Sequence, residues 1–534
     1  MSELREGIYQ TRPIMADSAN LRVGKPQDRF AGKCSDEERF YPETLKWSEM
    51  GAPKSSAKCM FVYPGITSPG WNSCREGQTS NEAVYMSHGM AYVSSALKAR
   101  GHLSWLLDMR TCRHWKDFEN QVREAKYDVA FIGFLSLDVF TATCAVRSLK
   151  EIHPDRPVIV GGLHVSCCEM KSFPAHKGED YWLPDLYLNR IEDMHPVLRQ
   201  YLDYKGEADY EDEKFVKADC TVWNESEIAA CLLAEEIAGG GTIPKFVNAK
   251  VIPDLSETPH CDRDLFNLEF EANAPLLDYL PKPFFTVTFG RGCPFACSFC
   301  NIATQLSSAK VRLIDPDYFM DELQALHDRF GKIGSLMIHD DILLYPKWLE
   351  EWNLKLKARF GYTPYWCQMR ADFICKHPDL MRTMAECGLA WVSIGLESGS
   401  QKVLDFMSKQ TTVAQNLESC RILRELGVNV FGNWMLGLPG ETTADMEATA
   451  EMMREVANGG IRHSASVYCN FPGTSLAKYL KLTDGLEKRW YSRSHFPWQI
   501  ALRGIDYDEV YRIQRRVTSS CPDRATRPKF WTDK

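Results

Sequence analysis

The segment Phe284-Phe285-Thr286-Val287-Thr288-Phe289-Gly290-Arg291-Gly292-Cys293-Pro294-Phe295-Ala296-Cys297-Ser298-Phe299-Cys300-Asn301 runs from a β-rich apolar start through Gly-Arg-Gly into three cysteines spaced C-x3-C-x2-C. Three thiolates on one short loop can hold three irons of a cubic iron–sulfur cluster, which normally takes four protein ligands. The corner without a protein ligand is then open to a substrate, as in catalytic metal sites. Two bland readings compete. A structural zinc site wants a fourth Cys or His, and none closely follows Asn301. Chance clustering is possible in a chain with 19 cysteines. It does not account for the strand before the thiols or the Gly, Pro and aromatic residues around them.

Working outward toward the C-terminus, strand and helix patterns alternate, which predicts a parallel sheet. Asp315-Pro316 is an N-cap followed by proline at the first helical position. Strands are expected at 333–338, 365–369, 391–396, 428–436 and 463–468. They end in His339-Asp340-Asp341, Arg370-Ala371-Asp372, Glu397-Ser398-Gly399, Gly437-Leu438-Pro439-Gly440-Glu441 and Phe471-Pro472-Gly473-Thr474. A helix over 378–387 should stop at Gly388. Parallel α/β barrels build their sites at these strand ends. Asp340, Arg370, Glu397 and the Gly437 turn are therefore expected to face the cavity that holds the three cysteines. Caps, turn glycines and surface ion pairs are the competing reading, and for Asp341 and Glu441 they weigh equally.

Toward the N-terminus a second alternating pattern covers 57–240. Strands are expected at 58–63, 103–108, 129–135, 158–160 and 220–223, with helices between them. This predicts a doubly wound five-stranded domain that binds ligands at the carboxyl ends of its strands. The candidate contacts are Pro64-Gly65, Leu135-Ser136, Gly161-Gly162 and the turn Asn224-Glu225-Ser226-Glu227. Paired glycines after a buried strand let backbone approach a flat or phosphorylated ligand closely.

Cys293-x3-Cys297-x-Phe299-Cys300 resembles the signature of the radical S-adenosylmethionine (SAM) superfamily. The preceding domain, with its FLS, GGLH and NESE turns, makes residues 57 to about 480 resemble the cobalamin-dependent branch. The resemblance implies a [4Fe-4S] cluster on Cys293, Cys297 and Cys300. It implies SAM on the open iron, with Phe299 against adenine, Glu397 and the Gly437 backbone as contacts, and Asp340 and Arg370 as weaker transfers. It also implies cobalamin at Pro64, Gly65, Leu135, Ser136, Gly161, Gly162, His164, Asn224 and Glu225. Many cobalamin domains carry D-x-H-x-x-G after the first strand, but here Tyr63 is followed by Pro64-Gly65-Ile66-Thr67. Cobalamin is accordingly expected base-off, without a protein histidine on cobalt, and His164 is read as lining the pocket.

The expected architecture is α/β throughout. It comprises an N-terminal extension (1–56), a flavodoxin-like cobalamin domain (57–240, insertion 169–215) and a linker (241–281). A partial (β/α)6 barrel (282–480) and a helical C-terminal cap (481–534) follow. The net charge of −8, from 63 Lys plus Arg and 71 Asp plus Glu, argues against broad nucleic-acid binding. The longest uncharged apolar run, Val129 to Leu137, falls short of the roughly twenty residues a membrane span needs. Neither a secretory signal nor a disulfide framework is recognisable, so a cytoplasmic setting is expected, and the resemblance implies an anaerobic enzyme. The activity implied is methylation of an unactivated carbon in a small-molecule, lipid or natural-product substrate, with a flavodoxin or ferredoxin as external electron donor. Oxidative cyclisation or rearrangement is the alternative, and a corrinoid-binding sensor with a vestigial cluster a third reading.

Overall fold

The computed structural model describes residues 38–40, 46–53, 55–64, 86–112, 115–135, 139–167, 218–249, 251–273, 280–300, 302, 311–339, 344–468, 474–476 and 506–518. Two parallel sheets organise them. The first contains β1 (Glu38–Phe40), β2 (Lys58–Tyr63), β3 (Leu103–Asp108), β4 (Val129–Gly133), β5 (Val158–Gly161), β6 (Cys220–Trp223) and β7 (Phe246–Asn248), in the order β1-β7-β6-β5-β4-β2-β3. Read from β3, the five central strands follow the flavodoxin-like doubly wound order. Its topological switch point therefore falls between β2 and β4.

The second sheet contains β8 (Phe284–Val287), β11 (Ser335–Ile338), β12 (Tyr365–Met369), β13 (Leu389–Glu397), β14 (Asn429–Leu436) and β15 (Arg462–Val467). Its six strands lie side by side in chain order and all run parallel, the topology of a partial barrel. A two-residue antiparallel pair, β9 (Gly290–Arg291) with β10 (Arg312–Leu313), stands outside it.

The parallel strands read as continuous apolar runs because both faces of each sheet are largely buried. Along Leu389–Glu397 all but one residue is buried. Helix boundaries follow the expected chemistry. Asp315 caps the helix Pro316–Phe330 by accepting from the Asp317 and Tyr318 amides at 2.9 and 3.2 Å. Gly388 ends the helix Pro378–Cys387 at φ 153°, where an added Cβ would run into the Thr363 carbonyl. Phe289 packs on Trp348 and Phe319 at centroid distances of 4.5 and 5.4 Å. That buried aromatic group anchors the start of the cysteine loop to the barrel core.

Two differences from expectation concern the first sheet, which has seven strands where five were read. β7 comes from the stretch read as linker, and β1 from the stretch read as N-terminal extension. Each is three residues long, too short to show period-2 alternation, and each is defined by its pairing. Residues 251–273 are likewise engaged with both sheets. Arg263 donates to Glu322 at 2.8 Å and to the Thr286 carbonyl at 2.9 Å. Ser94 and Lys98, on the helix His88–Ala99, bond Asp262.

Candidate active site

The cysteine loop leaves β8 at the C-terminal edge of the second sheet. Gly292, at φ 98°, turns the chain into Cys293 in a conformation that suits glycine. The Cys300 amide donates to the Cys297 carbonyl at 3.1 Å, closing a turn that draws these two residues together. Ser298 is held from two directions: its amide donates to the Met407 carbonyl at 2.8 Å, and its carbonyl accepts from Leu476 at 2.9 Å. Cys297 is buried; Cys293 and Cys300 are half-buried.

Two strand ends meet around this loop, and the end of β14 forms a further polar turn. From the end of β12, Arg370 lies 3.6 Å over the Phe295 ring and brings Nη1 to 3.9 Å from Cys297 Sγ. Its Nε donates to Asp372 at 2.9 Å and its Nη2 to the Lys409 carbonyl at 2.7 Å. From the end of β13, Glu397 accepts from Lys409 Nζ at 2.8 Å, and Lys409 lies 5.8 Å over Phe299. Burial opposes the charge on Lys409, but Glu397 and then Cys297 outweigh it and hold the ammonium above its usual value. Gly395 leaves room for this pair, since a Cβ there would sit 2.7 Å from Lys409 Nζ. From the end of β14, Gly437 at φ 79° donates to Glu441 Oε2 at 2.6 Å, joined by Leu438 at 3.0 Å.

Backbone strain concentrates here. Glu397, Ser408 and Gln410 have φ of 61°, 54° and 59°, where non-glycine residues cost ~1–3 kcal/mol each. Asn224, at φ 63° beside the first sheet, is the one other such residue among those described. Strain of this kind persists where surrounding contacts over-determine a functional geometry. Lys409, between Ser408 and Gln410, escaped the sequence reading because an isolated lysine in Ser-Lys-Gln-Thr carries no signature.

At the switch point of the first sheet lies a cavity of about 690 Å³, within the size range of small-molecule sites. Phe61, Tyr63, Phe131 and Gly161 line it from the first sheet, Arg291 from the β9–β10 pair and His339 from just past the end of β11. Of the expected contacts, Leu135, Gly161, Gly162, Asn224 and Glu225 line it. Gly162, at φ 100°, approaches Phe134 so closely that a Cβ would lie 2.7 Å from its amide nitrogen. Pro64 is buried at the end of β2. Gly65, Ser136 and Asp340 lie outside the described residues, as does the side chain of His164.

Glu225 lines the cavity and also has partners of its own. Its carboxylate accepts from the Ile252 amide at 2.7 Å and from Arg312 Nη1 at 2.8 Å, with Arg291 at 3.5 Å. Burial pushes its pKa up, but Arg291 and Arg312 prevail and hold it below the usual carboxyl value. Arg291 also bonds Glu227 at 2.6 Å and stacks 5.2 Å over Tyr92. The NESE turn is thus tied to the loop that carries the cysteines.

Sequence reasoning also missed His88 and Tyr92, which line the cavity from the helix His88–Ala99. Tyr92 Oη donates to the Thr288 carbonyl at 3.4 Å. His88 packs edge-on against His339 at 5.5 Å. Burial, then the His339 ring, pushes the His88 pKa well down, and burial takes His339 to about 4. Both rings are neutral at pH 7.

The donor set fits the expected cofactors. Among the described residues no three His, Cys, Asp or Glu side chains converge on one ion. A cubane would take one thiolate on each of three irons, which the three cysteines of this one loop can supply. The close-approach glycines and aromatic walls of the cavity suit a flat macrocycle.

Residues 287–453 match the family model of the Radical SAM superfamily. The anaerobic magnesium-protoporphyrin IX monomethyl ester cyclase of Cereibacter sphaeroides is 25% identical over 419 residues, covering 76% of this chain and 62% of the cyclase. The hopanoid C-3 methylase of Methylococcus capsulatus is 23% identical over 322 residues, covering 59% and 56%. This chain therefore spans about three fifths of the length of these relatives. The radical SAM methyltransferase TsrM from Kitasatospora setae, solved with cobalamin and a [4Fe-4S] cluster bound, shares the fold at TM-score 0.53 and 14% identity, covering 80% of this chain and 75% of TsrM.

Proposed function

We propose that this chain, whose residues 287–453 form a radical SAM domain, is a cobalamin-dependent radical SAM enzyme that methylates an unactivated carbon of a small molecule. The carrying observation is that one cavity, at the switch point of the first sheet, takes part of its wall from Arg291, two residues before the first cysteine of the loop. The bound cofactors supply electron transfer, the abstracting radical and the methyl group. The protein's contribution is to hold them adjacent and exclude water and oxygen.

Cys293, Cys297 and Cys300 hold the cluster. Phe299, Glu397, the Gly437 backbone and Asp340 hold SAM. Tyr63, Leu135, Gly161, Gly162 and Asn224 receive the corrin, with Pro64, Gly65, Ser136 and His164 beside them. The corrinoid binds base-off with no protein histidine on cobalt; His88 lines the cavity, but its Nε2 is buried. The working units are about 57–240 and 282–480, and the reducing partner is a cytoplasmic flavodoxin or ferredoxin. Among the described residues no helix is long and apolar enough to cross a membrane.

The cyclase relative favours a second reading, oxidative cyclisation with the same cofactors. Product mass separates the two: gain of one methylene supports methylation, and hydrogen loss without carbon gain supports cyclisation. Cys297→Ala should abolish release of 5′-deoxyadenosine while cobalamin still binds. Turnover surviving that change would sink the cluster assignment.

A further inference from the structure

We propose that Arg370 serves the metal cluster and not SAM: it places positive charge against the Cys297 sulfur and, with the buried Lys409 ammonium over Phe299, raises the cluster's reduction potential. This rests on the cluster reading above and deepens it.

The guanidinium is committed on every side. Its Nε meets Asp372 at 2.9 Å and its Nη2 the Lys409 carbonyl at 2.7 Å. Its face lies 3.6 Å over Phe295, leaving Nη1 directed at Cys297 Sγ at 3.9 Å. It is 3% exposed, so solvent screens it little. Asp372 sits on the opposite edge of the guanidinium from the sulfur, so the cationic end faces the cluster. Lys409 adds a second buried cation, its ammonium held by Glu397 at 2.8 Å and lying 5.8 Å over the ring of Phe299, the residue between Ser298 and Cys300. The left-handed Ser408 and Gln410 fix the segment that receives Arg370 and, through the Met407 carbonyl, the cysteine loop itself. Adding one electron makes a thiolate-ligated cluster more negative. Nearby cations and hydrogen bonds to its sulfurs therefore stabilise the reduced form more than the oxidised one.

The test uses the full chain, reconstituted anaerobically with iron and sulfide and poised at a series of potentials, with the reduced cluster read by electron paramagnetic resonance. Arg370→Gln should load iron and sulfide as the wild type does. At the wild-type midpoint its reduced-to-oxidised ratio should fall about tenfold, a shift of about 59 mV for one electron. Arg370→Lys should recover most of the shift, Arg370→Gln/Asp372→Asn part of it, and Lys409→Met should move it in the same direction as Arg370→Gln. SAM affinity, measured by equilibrium dialysis, should change less than twofold in Arg370→Gln. An unchanged ratio with weakened SAM binding would overturn the proposal and return Arg370 to the substrate. If Arg370→Gln fails to load, Lys409→Met decides: an unshifted ratio there overturns the proposal too. Wild-type protein that takes up no iron or sulfide overturns the underlying reading as well, and so is distinguishable from failure of this inference alone.

Discussion

Removing the carboxylate of Glu225 should be among the most costly single changes in the chain, although the residue sits on a turn. Glu225→Ala deprives the Ile252 amide of its 2.7 Å acceptor and Arg312 of its carboxylate partner, while Arg291 keeps Glu227 at 2.6 Å. The Arg312 side chain is 5% exposed and that of Glu225 8%, so water replaces only part of what is lost. Breaking a buried pair by deleting one partner costs ~3–5 kcal/mol. The lower end, about 3 kcal/mol, applies here because Arg312 keeps the Ile252 carbonyl. Equilibrium urea unfolding of the apoprotein, followed by circular dichroism, measures the loss. Glu225→Met/Arg312→Met leaves no orphaned charge and should regain most of it. The folded pKa of Glu225 is lowered, so its contribution is present above the usual carboxyl value of 4.5 and is lost as pH falls through the folded value. The Ala variant should lack that acid-side decline. A single-variant cost below about 1 kcal/mol, or a double variant as weak as the single, would refute the account.

Gly162→Ala adds a Cβ 2.7 Å from the Phe134 amide nitrogen at φ 100°. It should cost about 2–4 kcal/mol from strain and overpacking and weaken cobalamin binding in a spectrophotometric titration. Tight binding at wild-type stability would remove Gly162 from the cavity wall. Burial raises the Glu441 pKa to about 8, so its stabilising protonated form is fully present below pH 4.5 and is lost as pH rises through about 8. Glu441→Gln keeps an acceptor for the Gly437 and Leu438 amides. Its melting temperature should gain on the wild type's as pH rises from 4.5 to about 8, and a gap independent of pH would contradict the assignment.

The barrel was largely legible because each strand pairs with the next in chain order, and each ends in residues that punctuate. Tyr365–Met369 and the Asp315-Pro316 cap were readable from period and cap chemistry alone. The cysteine loop was legible because spacing is chemistry there. β1 and β7 were not, being too short to carry a pattern and existing through pairing with distant chain. Lys409 and His88 were illegible for the same reason: each acquires its role from a contact that the fold alone creates. Glu225 was placed on the right turn but for an incomplete reason. Its carboxylate faces two arginines that lie far along the sequence and that no local window contains.

The ties from Glu225 and Glu227 to Arg291 and Arg312, with those from Arg263 and Glu271 to the barrel, also bear on how this protein can be cut and recombined. A fragment opening at residue 282 would inherit buried guanidiniums stripped of their anions, and its β8 would lose the carboxylate that receives the Thr286 amide. Expressed by itself it should aggregate. A chimera borrowing its front half from a homologue should fold only if the donor brings acids at the positions of those two glutamates.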